Sequence, residues 1–590
     1  MKKIRAAAGL LAAALLAGLL GGCGGPEAEE SAQPGGTEAF DLAVSFTSEP
    51  QTIDPTLNSA LDGGILLHHL FEGLMKWEDS GEVQEEGAPI TGARLTTGQA
   101  ADYEKTVNAD GTVRYTFTLR EDARWWDGQA VTAEDFAYSW KRLCDPETAA
   151  GYIGLLAMVT NYDAVVYGRD PESGAVLTAA QAEDYAAQGV EVPRDSLDTL
   201  GITAADADTF VVDLSYDCPY FLELCAFPNL MPLRADVVEG NDQWTQSPET
   251  YLCNGPYKLQ SWTHSSSIVL EQNPEYYDRD ALGPDTITFR LMGDVNARYT
   301  AYQAGDLDFI NQVPTDRVST LLESGELHLL DYLGTSYVTY QNTRAPFDDW
   351  RVRKAFTLAI DSAYLTEQVV QGGQVPADGF VPNGVSDAGE GSDFRTEGGS
   401  YWTAPTTEAL YQENLAEANR LLDEAGYTDR STFPAVEYLY NSDESNENVA
   451  VALQSMWQEG LGVQVTLKSQ EWGAFLQSYL QGDYQLSRMG WTSDYTDPMS
   501  FLGMWVTGSG TNTAFYSSAD YDDAILRASQ TSDPEARMEA LHEAEDLLIG
   551  RDWAVGPIYF YTEQYLLSDD IQGVYYSPLG YYFFQYAQRK

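Results

Sequence analysis

Basic residues are scarce in this 590-residue chain: 33 Lys and Arg stand against 90 Asp and Glu, a formal net charge of -57. Such a surface repels nucleic acid phosphates everywhere, so no nucleic acid partner is expected. The acids are spread along the chain and mixed with 44% hydrophobic residues, the composition of a solvated globular surface and not of an acidic disordered tail. Cysteine is sparser still. The five cysteines show no Cys-x-x-Cys spacing, and the five histidines (His68, His69, His264, His328 and His542) form no ligand pattern, so neither a metal nor another cofactor is expected. Catalytic signatures are missing as well. Without a Gly-x-Ser-x-Gly, a His-Glu-x-x-His or a Cys/His constellation, nothing points to attack on a bond, and the chain is not expected to be an enzyme. A carboxylate-pair hydrolase is the remaining catalytic reading, but Asp494 and Asp497 are only neighbours in sequence. No fixed-period repeat suggests a solenoid or propeller, and beyond the N-terminus no stretch is apolar enough to cross a bilayer.

What is present begins with a basic start (Lys2, Lys3, Arg5), an apolar stretch from Ala6 to Leu20 and small residues ending at Cys23, the layout of a secretion signal. The apolar run is shorter than the roughly 20 residues of a membrane-spanning helix. Leu20-Gly21-Gly22-Cys23 resembles the lipobox of bacterial lipoproteins, which would make Cys23 the lipidated first mature residue. A plain anchor helix is the alternative, and both readings put the body outside the cytoplasm. Residues 1–22 are thus expected as signal and 23–38 as lipidated cysteine and tether, because Gly24 to Thr37 has no apolar period that could bury a face. The remaining stretch of roughly 550 residues exceeds one core and predicts two or three lobes. An exported location permits disulfides among Cys144, Cys218, Cys225 and Cys253, in any of three complete pairings, and buried free thiols serve as well.

Strand-like and helix-like segments alternate, which predicts α/β lobes. Val113 to Leu119 and Thr286 to Leu291 place apolar residues at every second position, as half-buried strands require. Thr132-Ala-Glu-Asp135 opens a helix carrying Phe136 and Trp140. Helices are expected from Leu415 to Ala425 and from Asn446 to Glu459, then a strand over Val463 to Leu467, a helix over Glu471 to Leu480 and a strand over Tyr484 to Arg488. Asp387 to Ser400 reads as a long surface loop. The strand ending at Arg488 passes into Gly490-Trp491-Thr492-Ser493-Asp494-Tyr495, and ligands of open α/β sheets meet the chain just beyond strand ends.

From about Ala43 onward the residues resemble the extracellular solute-binding proteins of the peptide, dipeptide and nickel class, and among them the oligopeptide-binding proteins of ABC importers. The matching segments are Thr52-Ile-Asp-Pro55, Leu70-Phe-Glu-Gly-Leu74, Trp126-Asp-Gly with Val131-Thr-Ala-Glu-Asp-Phe136, Ser139-Trp-Lys-Arg142, Asn254-Gly-Pro-Tyr257, Arg351-Val-Arg, Ala359-Ile-Asp361 and Gly490-Trp491 with Asp494-Tyr495. The resemblance implies an α/β, two-lobed periplasmic-binding-protein fold of type II with an extra inserted domain. Residues 39–62, 190–290 and 562–590 would form one lobe, 63–189 the inserted lobe and 291–561 the third. It also implies a short peptide ligand, ABC permease subunits as partners, a monomer, and a place on the outer face of the cytoplasmic membrane through the lipid at Cys23. Nickel chelates, haem, oligosaccharides or a signalling peptide are the alternative ligands.

A receptor for many peptides must bind what all share: ammonium, backbone and carboxylate. Asp494 falls where the family neutralises the peptide ammonium, although Asp also caps turns of this kind. Backbone around Gly490 and Thr492 would bond the ligand chain. Arg488 matches an arginine that approaches the carboxylate of a short peptide, an internal ion pair being the other reading. Trp472 and Tyr561 match aromatic pocket positions, Trp491 and Tyr495 belong to the loop, and Glu49 stands four residues before Ile53 as the family's ligand-strand glutamate does. Ordinary core packing also accounts for Trp472 and Trp491. Tyr479 and Thr492 depart from the family, standing where some members carry arginine and a disulfide cysteine, so length preference and bridge pattern do not transfer.

Overall fold

Two 13-residue strands, His328–Tyr340 and Val555–Leu567, run antiparallel through the centre of the computed structural model. The structure describes residues 40–590 apart from 47–48, 84–86 and 390, so the expected signal, Cys23 and the tether lie outside the described residues. The register of the two strands shifts between Asp331 and Thr335, so each carries two segments that serve different sheets. Toward one end, Leu566 and Leu567 pair with Phe309–Ile310, and the sheet continues through Asp41–Phe46, Thr286–Leu291, Ser267–Gln272 and Tyr257–Thr263. Toward the other end, residues 334–340 pair with Leu486–Thr492, followed by Val436–Asn441 and Val465–Gln470. These are the two α/β lobes, and the crossing strands are the hinge between them.

The second lobe shows how the local sequence builds such a unit. Val436–Asn441 and Val465–Gln470 are parallel, and parallel neighbours need a crossover. Helix Glu444–Leu461 supplies it: Asp443 caps its start by accepting from Ser445 and Asn446 N–H, and Gly462 at φ 71° ends it. Val449, Ala450, Leu453, Trp457 and Leu461 recur at helical period and bury their face against Tyr438 and Phe356. The elements expected over residues 446–459 and 463–467 are present with ends displaced by two or three residues. Helix Glu408–Glu424 starts seven residues before the expected one, because Thr407 accepts from Leu410 N–H and caps it there.

Two expectations are corrected. The inserted lobe is a four-stranded sheet of Ala100–Val107, Val113–Leu119, Thr209–Leu214 and Ile202–Ala204, so 202–214 belong with it and not with the 190–290 segment. Conversely, Met75–Asp79 and Thr91–Thr97 join Tyr575–Ser577 and Tyr581–Phe583 in a sheet of their own, outside the inserted one. Strands choose partners by register and burial, which a boundary drawn along the chain cannot see. Nor is the 387–400 interval only a surface loop: it contains helix Phe394–Gly398, buries Phe394 and Arg395, and pairs Arg395 with the fully buried Glu545 at 2.7 Å. Cys144, Cys218, Cys225 and Cys253 are all free, buried thiols.

Candidate functional site

Strand Leu486–Thr492 runs beside the hinge. One edge pairs with residues 334–340, but the other pairs with Val436–Asn441 only at Leu486 and Ser487. From Arg488 to Thr492 that second edge has no strand partner among the described residues, which leaves backbone donors and acceptors able to pair with an added strand.

The loop beyond the strand is anchored at nearly every residue. Ser493 N–H donates to Leu333 at 2.8 Å, and the Ser493 hydroxyl donates to the Tyr495 carbonyl at 2.5 Å. Asp497 accepts both arms of the Arg537 guanidinium at 2.8 Å, each side chain almost fully buried, and also caps the turn at Met499. Tyr495 stacks face to face on Tyr220, with ring centres 3.9 Å apart. Thr496 donates its N–H and hydroxyl to Glu223 at 2.8 and 2.5 Å. Tyr220 and Glu223 come from a segment more than 270 residues earlier in the chain, so the loop is held by distant parts of the fold as well as by its own neighbours.

Asp494 sits in the middle of this frame with a different environment. It is half-buried and takes one hydrogen bond, from the Tyr152 hydroxyl of the inserted-lobe region at 3.1 Å. Among the described residues no Lys, Arg or His pairs with it. Burial pushes its carboxyl up to about 6, against the opposing pull of the Tyr152 bond. Asp497 is a structural ion pair, whereas Asp494 is an acid without a cation. Its charge is felt by the phenols of Tyr332, Tyr581 and Tyr495, which it helps to hold above their usual values.

Gly490 and Thr492 lie on the strand segment with the open edge, as does Arg488. A Cβ at Gly490 would stand 2.1 Å from the Tyr561 hydroxyl, and one at Gly334, opposite Thr492, 2.5 Å from its ring. Two glycines thus admit Tyr561 of the crossing strand against the sheet. Arg488 is half-buried and reaches only Asn441, at 3.3 Å. The internal ion pair that was one reading of it is not present among the described residues. Trp491 alternates to the other face, half-buried, its indole N–H without a partner among the described residues. Trp472 is 48% exposed at the start of helix Trp472–Leu480, stacked only on Phe475, which removes core packing as its explanation. Tyr479 is buried and bonded to Thr339 at 3.0 Å. Glu49 is held by Trp262 at 2.8 Å, His264 at 2.6 Å and Ser265 N–H at 3.0 Å. Burial alone would raise its carboxyl; these bonds outweigh it and hold the carboxyl below its usual value. Sequence reasoning missed Tyr152, Tyr332, Tyr220 and Glu223, which carry no local motif.

A surface concavity of about 970 Å³ beside helices Glu408–Glu424 and Glu444–Leu461 is lined by residues between 361 and 460. Belonging to one lobe, it cannot sense how the lobes are disposed.

Two α/β lobes on crossing strands, with an unpaired acid and an open strand edge at their junction, define a two-lobed binding protein of the type II fold. Comparison with known proteins narrows the class. Residues 96–513 match the profile of the bacterial extracellular solute-binding proteins, family 5 Middle, and the chain belongs to this family. It is 32% identical over 573 residues to the periplasmic oligopeptide-binding protein OppA of Salmonella typhimurium, covering 96% of this chain and 95% of that one. The Haemophilus influenzae OppA complex with RPPGFSPFR superposes at a TM-score of 0.72 with 30% identity, covering 94% of this chain and 99% of that one. The Escherichia coli murein tripeptide binding protein MppA, 28% identical and covering 94% and 99%, gives 0.74, and its unliganded open form 0.68. Such relatives place the protein outside the cytoplasm, and no helix among the described residues is long and apolar enough to cross a membrane.

Proposed function

We propose that this protein is the receptor of an ABC importer and captures short peptides in the interlobe cleft. The observation that carries the reading is Asp494: a carboxyl drawn out of water with no cation to meet it, at the mouth of an unpaired strand edge. A peptide answers both demands. Its ammonium pairs with Asp494, its backbone adds to Arg488–Thr492 as a strand, and side-chain variety is accommodated by water. Arg488, which pairs with no acid among the described residues, would receive the carboxylate of a short ligand, with Trp472, Tyr561 and Tyr495 as aromatic walls. The oligopeptide-binding relatives and the peptide in the Haemophilus influenzae complex support the same ligand class.

Closure follows from the same contacts. A ligand bridging both lobes shifts the balance by its differential affinity for the closed state, and about 5.5 kcal/mol takes a receptor from mostly open to mostly closed. One buried ion pair with several backbone hydrogen bonds supplies energy of that order. Glu223 and Tyr220, gripping Thr496 and Tyr495, transmit closure to the loop that carries Asp494. The receptor binds without cleaving, works as a monomer, is tethered to the outer face of the cytoplasmic membrane by lipid on Cys23, and hands its cargo to permease subunits.

Thermal-shift measurements test the reading, since a ligand of the folded state raises the melting temperature. Tri- to pentapeptides with free amino ends should stabilise the protein and be recovered intact by mass spectrometry. Equal stabilisation by N-acetylated peptides, or by haem, nickel chelates or oligosaccharides in place of peptides, would overturn it.

A further inference from the structure

Three consecutive residues of the loop that carries Asp494 each touch the part of the molecule built on the inserted sheet. Asp494 accepts from the Tyr152 hydroxyl at 3.1 Å, and Tyr495 stacks on Tyr220. Thr496 donates its N–H to one oxygen of Glu223 at 2.8 Å and its hydroxyl to the other at 2.5 Å. Asp494 and Tyr495 belong to the proposed peptide site, but Glu223 does not, because both of its oxygens are spent on Thr496. Helix Phe221–Leu224 carries it, and Phe221 packs its ring on Tyr115 of the inserted sheet, centres 4.7 Å apart, and on Trp140 of helix Ala133–Leu143 at 6.1 Å. Thr496 is held by its own lobe as well, through Ser386 N–H donating to its carbonyl at 3.4 Å and through the Asp497–Arg537 pair that follows it.

This contact is a seam and not a core. Beside it lies a cavity of about 210 Å³, lined from one side by Asp217, Tyr220 and Glu223 and from the other by Ser386, Thr496 and Arg537, polar and roomy enough to admit water. A rotation about the crossing strands that draws Asp494 away from Tyr152 also draws Thr496, two residues on, away from Glu223. Hydrogen bonds as short as these do not survive a separation of about 1 Å. The bonds to Glu223 therefore exist only while the loop is seated, and they are the same whatever peptide lies in the cleft.

We propose that Glu223 is a positioning residue: without meeting the peptide, it clasps the Asp494 loop to the inserted lobe through Thr496 and so sets how long any enclosed peptide is retained. This deepens the peptide reading and rests on Asp494 as the ammonium site. Hydrogen bonds to an ionised carboxylate are about twice as strong as neutral ones, and Thr496 presents two donors to the two oxygens of one carboxylate. The clasp favours the closed state by the same amount for every ligand, so it multiplies every bound lifetime by one factor. Residues that line the cleft act differently on different peptides. A contact that forms only after closure changes the rate of release far more than the rate of entry.

The test follows release of tritiated Ala-Ala-Ala and Phe-Glu-Phe from the mature protein, purified free of ligand, loaded with each and then chased with excess unlabelled peptide. Glu223→Ala should release both peptides about 10- to 100-fold faster than the parent, by the same factor for each. Thr496→Val, which removes the hydroxyl donor, should speed release about threefold or more in the parent and add nothing in Glu223→Ala. Glu223→Gln should bring release back to within a few-fold of the parent, because its amide oxygen still accepts from Thr496 N–H and its amide N–H meets the Thr496 hydroxyl; a packing defect at this position would not be rescued so. Release unchanged in Glu223→Ala, factors that differ about tenfold between the two peptides, or additive effects of the two substitutions would overturn the clasp. Should Glu223→Ala fail to fold, Thr496→Val decides: faster release of both peptides supports the clasp, and unchanged release overturns it. If neither peptide binds the parent, the Asp494 reading fails first and the clasp falls with it, whereas a parent that binds both beside variants that release no faster refutes the clasp alone.

Discussion

Replacing Asp494 by Asn separates what the site does for binding from what it does to the fold. With no ligand, the folded protein holds the Asp494 carboxyl at about 6 instead of 3.8 because burial disfavours the charge. That difference opposes folding at pH 7 by on the order of 3 kcal/mol. The sign follows from the raised value: the neutral acid is the form the fold prefers, so the stability it contributes is present below 3.8 and lost as pH rises through about 6. Asp494→Asn should therefore make the unliganded protein more stable than the parent at pH 7, with the gain vanishing below about pH 4. Binding should move the other way. Removing one member of a buried charge pair costs about 3–5 kcal/mol, which weakens a free-amine peptide roughly 150- to 4,000-fold. An N-acetylated peptide, weak with the parent, should lose little more. Urea denaturation at the two pH values and calorimetry with the peptide pair read both effects. A variant that is no more stable at pH 7, yet binds free-amine peptide undiminished, would refute the assignment of Asp494 as an unsatisfied acid awaiting an ammonium.

The other predictions concern the surroundings of this acid. Gly490→Ala should cost about 1–3 kcal/mol of stability and weaken peptide binding, because the new methyl meets the Tyr561 hydroxyl at 2.1 Å. Adding Tyr561→Phe should restore part of the stability, and failure of that rescue would remove the clash as the cause. Arg488→Met should weaken tripeptides with free carboxylates by about 1.5–3 kcal/mol and leave C-terminally amidated peptides unaffected; equal losses on both would show that Arg488 does not read the carboxylate. The thiols of Cys144, Cys218, Cys225 and Cys253, raised by burial, should resist a thiol reagent in the folded state and all four react after unfolding, with reductant leaving the melting temperature unchanged.

Much of the architecture is legible from local pattern. The alternation at Val113–Leu119 and Thr286–Leu291 matches the strands residue for residue, and Asp135 accepts from Thr132 N–H at 2.8 Å as the opening of a helix at Thr132 requires. Asp494 stands out because its loop is a contiguous segment with a strand before it. What escapes is everything long-range. Tyr152 reaches Asp494 across 342 residues, and Glu223 reaches Thr496 across 273, with no periodicity to announce either. The assignment of 202–214 to the inserted sheet depends on which edge of Val113–Leu119 was open, a property of the fold and not of the segment. Alternation along Arg488–Thr492 does separate Trp491 from Arg488, Gly490 and Thr492, a distinction that was readable in principle.

The most direct examination of the account is a crystal structure of the mature protein with a bound free-amine peptide. The ligand's terminal nitrogen should lie about 2.7–2.9 Å from an Asp494 carboxylate oxygen, with its backbone paired to the open edge of Arg488–Thr492. A peptide seated elsewhere, or one whose amino end points away from Asp494 into solvent, would contradict it.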